Sequence, residues 1–263
     1  MRWLLSQRWD DMLFAHWPVE PAALRPLLPP AAEPDVRDGC AWIGVVAFRM
    51  TETRGACVLP PRGLGPIPEL NVRTYVRVGG VPGVWFLSLD TSSPLFVTIG
   101  CALYGLAYHL ARMVVRREGS RVHYASARGP AAFAACYGPA AAAGVPAAHG
   151  SLEHWLLERY RLFAVRSGRL VTAEVAHRPW TLQPADVRIE LNTLEPRGIR
   201  FDGEPLLHVS PGVDALIAPP TPVAAGALRR EPHRKTTRTP RTGRSREQAG
   251  DLLAAGDAAA VVR

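Results

Sequence analysis

Nowhere in this 263-residue chain does an apolar run approach the roughly 18–20 residues that a membrane-spanning helix needs. The opening seventeen residues are interrupted by Arg2, Arg8, Asp10 and Asp11, so they form neither a continuous hydrophobic stretch nor a small-residue cleavage site. No membrane association is expected, and the cytoplasm is the expected compartment. Cysteine is sparse. Cys40, Cys57, Cys101 and Cys136 include no CxxC pair, so zinc ligation is not indicated and buried free thiols are expected. Lysine is nearly absent: Lys235 is the single example, and arginine supplies the rest of the positive charge. Ser6, Ser88 and Ser126 lack the strand-turn-helix setting of a nucleophile elbow, which removes the usual support for a serine hydrolase. No internal repeat is visible.

The net charge of +8 suggests a nucleic-acid partner until it is located. Residues 224–263 hold nine Lys/Arg against four Asp/Glu, whereas residues 1–223 hold 22 against 19. The basic character belongs to an appendage that follows the Pro-rich stretch Ala218 to Pro222. That appendage has no aromatic residue and is rich in Arg, Thr, Pro and Gly. It is expected to be a disordered tail, with a short helix at Gln248 to Ala260 the one element its pattern allows. Non-specific association with nucleic acid is open to the tail alone. Residues 1–223 are expected to form a single domain, a length over which an all-β barrel often runs undivided.

What is present is mostly strand. Residues 69–78 alternate cleanly, and side chains along a strand alternate faces. Leu70, Val72, Thr74, Val76 and Val78 make a core face. Glu69, Asn71, Arg73, Tyr75 and Arg77 make either a solvated surface or the wall of a polar pocket. On that face Glu69 and Asn71 are about 7 Å apart and Glu69 and Arg73 about 13 Å. Ala41 to Met50 reads as a strongly apolar strand. Val84 to Asp90 pairs back on residues 69–78 through Gly79 to Gly83. Arg121–Arg128 with Ala131–Tyr137, then Arg161–Arg166, Leu170–His177 and Val187–Leu194, continue the pattern. Pro21 to Leu28 reads as a short helix, and Gly100 to Arg117 as a longer one on the recurrence of Leu103, Leu106, Leu110 and Met113. Ser151 N-caps a helix running to about Tyr160, with Arg159 at its negative pole. The fold expected is α+β but mainly β, an antiparallel meander closed or nearly closed into a barrel.

Within Gly100 to His109, Tyr108 and His109 are the residues with proton-transfer chemistry. His16, His109 and His177 do not share a spacing that ligates a metal, so neither metal nor cofactor is expected. The His-Trp-Pro clusters at His16 to Pro18 and His177 to Trp180 read as aromatic corners at the mouth of a barrel.

The stretches Trp9 to Val19, Glu69 to Val76, Gly83 to Asp90, Leu157 to Tyr160 and His177 to Trp180 resemble, in order, the YqjF-like family of uncharacterised bacterial proteins. The resemblance covers about residues 5–220. It implies the acetoacetate decarboxylase-like fold, a cone-shaped antiparallel barrel with a few helices packed outside. Acetoacetate decarboxylases carry a pattern of the kind G-R-E-x-x-G-x-P-K, whose lysine forms a Schiff base. Gly100 and Gly105 fall on its glycines, and Glu69 is the counterpart of a pocket glutamate. Cys101 and Ala102 replace the arginine and glutamate, Ala107 the proline, and Tyr108 the lysine. Arginine cannot supply the unprotonated amine that Schiff-base chemistry needs. The expectation is therefore a pocket for a small oxygenated or anionic molecule, without Schiff-base decarboxylation. Glu69 and Tyr108 would carry any acid/base chemistry, and Asn71, Arg73, Tyr75 and His109 would bind. A non-catalytic binding or scaffold barrel remains the alternative.

Overall fold

The computed structural model describes residues 3–55, 66–141 and 143–224. Cys57 and the tail beyond Ala224, including the helix expected at Gln248 to Ala260, lie outside the described residues. In chain order the strands are β1 (Leu5–Val19), β2 (Ala32–Pro34), β3 (Ala41–Gly55), β4 (Ile67–Val78), β5 (Val81–Thr91), β6 (Tyr108–Leu110), β7 (Arg112–Glu118), β8 (Arg121–Arg128), β9 (Ala131–Pro139), β10 (Val145–Pro146), β11 (Arg161–Arg166), β12 (Arg169–His177), β13 (Thr181–Asn192), β14 (Leu206–Ile217) and β15 (Thr221–Pro222). The helices are α1 (Pro21–Leu24), α2 (Pro94–Ile99), which runs into a π-turn at Gly100–Tyr104, and α3 (Leu152–Leu157).

Seven strands, in the order β12-β11-β5-β4-β3-β1-β14, form a ring that closes where β14 pairs again with β12. Closure uses Val175↔Ile217, Ala176↔Leu216 and His177↔Ala215. Neighbours around the ring run antiparallel except at the β5–β11 seam. From β14 the sheet continues outward through β13, β9, β8 and β7. The expected mainly β architecture with few helices is found, and the ring of strands is compatible with a cone-like barrel.

Ring strands β1, β3 and β4 are buried on both faces over much of their length, at Asp11–Trp17, Ile43–Phe48 and Ile67–Val72. One face of β4, with Leu70, Val72, Val76 and Val78, packs with Val45, Tyr124 and Phe133 between the ring and the outer sheet. The other face joins Phe14, Val46, Phe48, Tyr75 and Trp180. α3 starts as expected, since Ser151 Oγ accepts from the His154 amide at 3.1 Å. Its end is tied by Arg159, whose Nε donates to the Trp155 carbonyl.

The expected helix from Gly100 to Arg117 is corrected. After the π-turn the chain becomes β6 and then β7. Gly105 turns it there with φ 70°, and a Cβ at that position would sit 2.5 Å from the Val165 carbonyl oxygen. A left-handed residue ends a helix, and the β-branched pair Val114-Val115 then favours strand. β1 and β14, among the longest strands, have no counterpart in the sequence reading.

Candidate functional site

Beneath α2 and the π-turn the ring encloses a cavity of about 380 Å³. Glu69, Asn71 and Arg73 line it from β4, Gln7 and Trp9 from β1, and Tyr108 from β6. Most of the remaining wall is aliphatic or aromatic, including Phe48, Phe86, Phe96, Leu103 and Trp180. β4 keeps an unbroken register with β3 from Ile67 to Thr74, so the side chains of 69, 71 and 73 emerge on one face as alternation requires.

Glu69 and Asn71 are 5% and 3% exposed, which rules out a solvated surface for this end of the row. The Tyr108 hydroxyl donates to Glu69 Oε2 at 2.6 Å, and Asn71 Nδ2 lies 3.4 Å from Oε1. Burial pushes the Glu69 carboxyl up to about 7, against the hydrogen bonds from Tyr108 and Asn71, which favour the carboxylate. Burial, with the Glu69 charge adding to it, holds the Tyr108 phenol well above its ordinary value, so it keeps its proton at neutral pH.

The described residues include four buried acids, Asp11, Asp35, Glu69 and Asp90. Asp11 is paired with Arg49 and Arg117, Asp35 with Arg77 and Arg159, and Asp90 with Arg128. Glu69 has no such cation. Conversely, Arg73 has neither a hydrogen-bond partner nor an acidic one among the described residues. Its guanidinium lies 5.8 Å from the ring centres of both Phe14 and Tyr75. The Asn71 Oδ1 is likewise buried without a partner. Such groups cost free energy when left unsatisfied, and here they face one hollow.

Tyr75 and His109 are not on the cavity wall, a correction to their expected place beside a ligand. Tyr75 continues the row of β4, but the cavity ends at Arg73. Its hydroxyl is hydrogen-bonded to His16 Nε2 at 2.7 Å, within a fully buried cluster. His109 follows Tyr108 on a strand instead of a helix, so it faces the other way, into solvent beside Asp90. The three histidines weighed as a metal set are apart: His16 packs with Tyr75, while His177 packs with Tyr160 and Trp180.

Tyr108 reaches the cavity because Gly100 has no side chain. A Cβ at Gly100 would collide with the Tyr108 ring. Gly100→Ala is therefore expected to push the ring off Glu69 and to destabilise the fold by about 1–3 kcal/mol, measured by urea unfolding. Wild-type stability in that variant would mean that the ring has room elsewhere. Trp9, Phe86 and Phe96 escaped the sequence reading as wall residues, because an apolar side chain facing a hollow reads the same as one facing a core.

The seven-stranded ring with its outer sheet and few helices has the acetoacetate decarboxylase-like fold, as the solved structures it matches show. The chain belongs to the DUF2071 family, described as "Uncharacterized conserved protein (COG2071)", whose model matches residues 6–214. It is 39% identical over 222 residues to the "Uncharacterized protein YqjF" of Bacillus subtilis (strain 168), spanning 82% of this chain and 91% of that protein. Among solved structures it is similar to an acetoacetate decarboxylase from Legionella pneumophila, with TM-score 0.60 and 15% identity over 83% of this chain and 87% of that one. It is also similar to the enduracididine biosynthesis enzyme MppR in complex with pyruvate, with TM-score 0.63 and 14% identity over 85% and 92% of the two chains. An acetoacetate decarboxylase-like enzyme from Sphingomonas wittichii RW1 gives TM-score 0.58 and 18% identity over 85% and 94%. At these identities the structures establish the shared fold.

Proposed function

We propose that this protein binds a small carbonyl-bearing organic anion in the cavity and moves a proton on it without a lysine. The observation that carries this reading is Glu69, the buried acid with no cation, hydrogen-bonded to Tyr108 at the edge of the hollow. A carboxyl shifted to about 7 is poised as a general base near neutral pH. Arg73 anchors the anion and Asn71 orients Glu69. The ligand's carbonyl oxygen displaces Glu69 as acceptor of the Tyr108 hydrogen. Glu69 then takes the proton from the neighbouring carbon, the C–H electron pair passes into the enolate oxygen, and Tyr108 stabilises that oxygen by its hydrogen bond. Delivery of that proton to the enolate oxygen gives the enol; its return to carbon restores the carbonyl compound, with solvent hydrogen exchanged in.

Lys235 is the one lysine of the chain and lies outside the described residues, so no described group offers an amine. MppR, a similarly folded enzyme, is described in complex with pyruvate, which makes 2-oxo acids the first compounds to try. Free thiols at Cys40, Cys101 and Cys136 suit a reducing compartment such as the cytoplasm.

The test is deuterium exchange at the carbon beside the carbonyl, followed by NMR in D₂O with a panel of 2-oxo acids. The exchange rate is expected to rise with pH and to level off above about 7 as Glu69 ionises. Tyr108→Phe removes a hydrogen bond that favours the carboxylate. It is expected to slow exchange by about 10²-fold and to move upward the midpoint of the kcat/KM profile, which reports the free protein. A downward or unchanged midpoint would detach Tyr108 from Glu69. Binding without exchange at any pH would instead leave a non-catalytic barrel.

A further inference from the structure

The cavity also constrains which anion fits. Its volume of about 380 Å³ is large for a pyruvate-sized ligand. At about 30 Å³ per water-sized group, it accepts roughly a dozen non-hydrogen atoms. Its polar groups are gathered on β4 and at Tyr108, with Gln7 and Thr53 on the β1 and β3 side. The far wall is apolar: Leu95, Phe96 and Ile99 from α2, then Leu103 and Leu106 from the π-turn and the residues after it. Leu95 remains 37% exposed.

Charge narrows the class further. Among the described residues Arg73 is the one basic side chain on the wall and carries no counter-ion, while Glu69 is the one acid there. No ion pair joins Glu69 to Arg73 among the described residues, and the two sit four positions apart along β4, at about 13 Å. The ligand therefore brings one negative charge. A second would be buried without a cation, at a cost of several kcal/mol. A fully polar ligand would leave the apolar wall facing water-filled space.

Building on the proton-transfer reading, we infer that the ligand is an amphipathic monocarboxylate. Its carboxylate lies on Arg73, its carbonyl or hydroxyl oxygen is at Tyr108, and an aliphatic or aryl body fills the space under Phe96 and Leu103. Short keto acids and dicarboxylates are poor ligands on this inference.

The experiment is calorimetric titration of the full-length protein and of Glu69→Gln with pyruvate, 2-oxohexanoate, 2-oxooctanoate and 2-oxodecanoate. The plain fatty acids and primary amides of matching length and 2-oxoglutarate complete the panel. Kd is expected to fall about fourfold per added methylene until the cavity is full, then to level off. That makes 2-oxooctanoate at least about a hundredfold tighter than pyruvate. 2-Oxoglutarate is expected to bind no better than pyruvate, and each amide at least about tenfold weaker than its acid. Arg73→Gln is expected to erase the preference for acid over amide. Leu103→Trp, at a half-buried position on the wall, is expected to move the best chain length down by a few carbons. The wild-type series alone decides the matter if a variant does not fold. Affinity independent of length, tighter binding of the dicarboxylate, or acid preference surviving in Arg73→Gln would each overturn the inference. Because the series is read as binding in Glu69→Gln as well, it succeeds or fails separately from proton transfer. Length-dependent binding without exchange would sink the chemistry and leave the ligand class; exchange on pyruvate with flat affinity would do the reverse.

Discussion

Glu69→Gln is expected to stabilise this protein at pH 8 while abolishing exchange on its substrate. The carboxyl is raised to about 7 in the folded chain, from an ordinary value near 4.5. Between those values the folded state binds more protons than the unfolded one, so this group's contribution to stability falls as pH rises and levels off above about 7. Glutamine keeps the shape and an acceptor for Tyr108 and carries no ionisation cost. The gain over wild type is therefore on the order of 3 kcal/mol at pH 8 and shrinks to below about 1 kcal/mol by pH 5. Urea unfolding of both proteins at the two pH values measures it. A gain of the same size at pH 5 and pH 8 would mean that ionisation of Glu69 is not what the fold is working against. Loss of the base is expected to slow exchange by about 10²–10⁴-fold. A more stable and less active variant is the signature of a residue kept for its chemistry.

Asp35→Asn is expected to act in the opposite direction. Asp35 is as buried as Glu69, but it accepts from Arg77 at 2.8 Å and from Arg159 at 2.7 Å. The Arg159 side chain is 7% exposed and lies 4.3 Å from the Trp155 ring and 5.2 Å from that of Tyr75. Removing the carboxylate strands that guanidinium, and breaking a buried pair from one side costs about 3–5 kcal/mol. Thermal or urea unfolding near neutral pH reads the loss directly. The effect should also reach the cavity, since Tyr75 supports both Arg159 and Arg73. Two buried acids with opposite signs on substitution separate a structural carboxylate from one that faces a ligand. If both substitutions destabilise equally, Glu69 is another structural acid.

Much of this was legible from residues. The alternation of 69–78 identifies both the core face of β4 and the polar row on its other side, because a strand has only two faces. The closed, mainly β architecture follows from sequential strands with short turns. The row does not reveal where the hollow stops. Arg73 and Tyr75 are equivalent by alternation, and they are separated only by the packing of Phe14, His16 and Trp155 around Tyr75. The segment after Gly100 was misread because Leu103, Leu106, Leu110 and Met113 keep helical spacing. Tertiary packing overrides that spacing at Gly105, where the Val165 carbonyl leaves no room for a side chain. A helix would set Tyr108 and His109 roughly 100° apart, whereas a strand sends them to opposite sides. β1 and β14 were missed because charged and proline residues interrupt them. In β1 these are Arg8, Asp10 and Asp11; in β14 they are Pro211 and Asp214, near the β1 register shift between Asp10 and Leu13.

The closure of the ring bears on how the protein is made. Leu5 pairs with Ile217, and both residues line the same hollow. During synthesis β4 and α2 leave the ribosome well before the closing strand β14 exists, and the paired ends must wait for nearly the whole ordered chain. Joins between such distant segments form late and slowly. A nascent chain therefore carries Glu69 for most of its translation with nothing yet enclosing it, and the compartment that raises its affinity for protons comes into being only when the two ends meet.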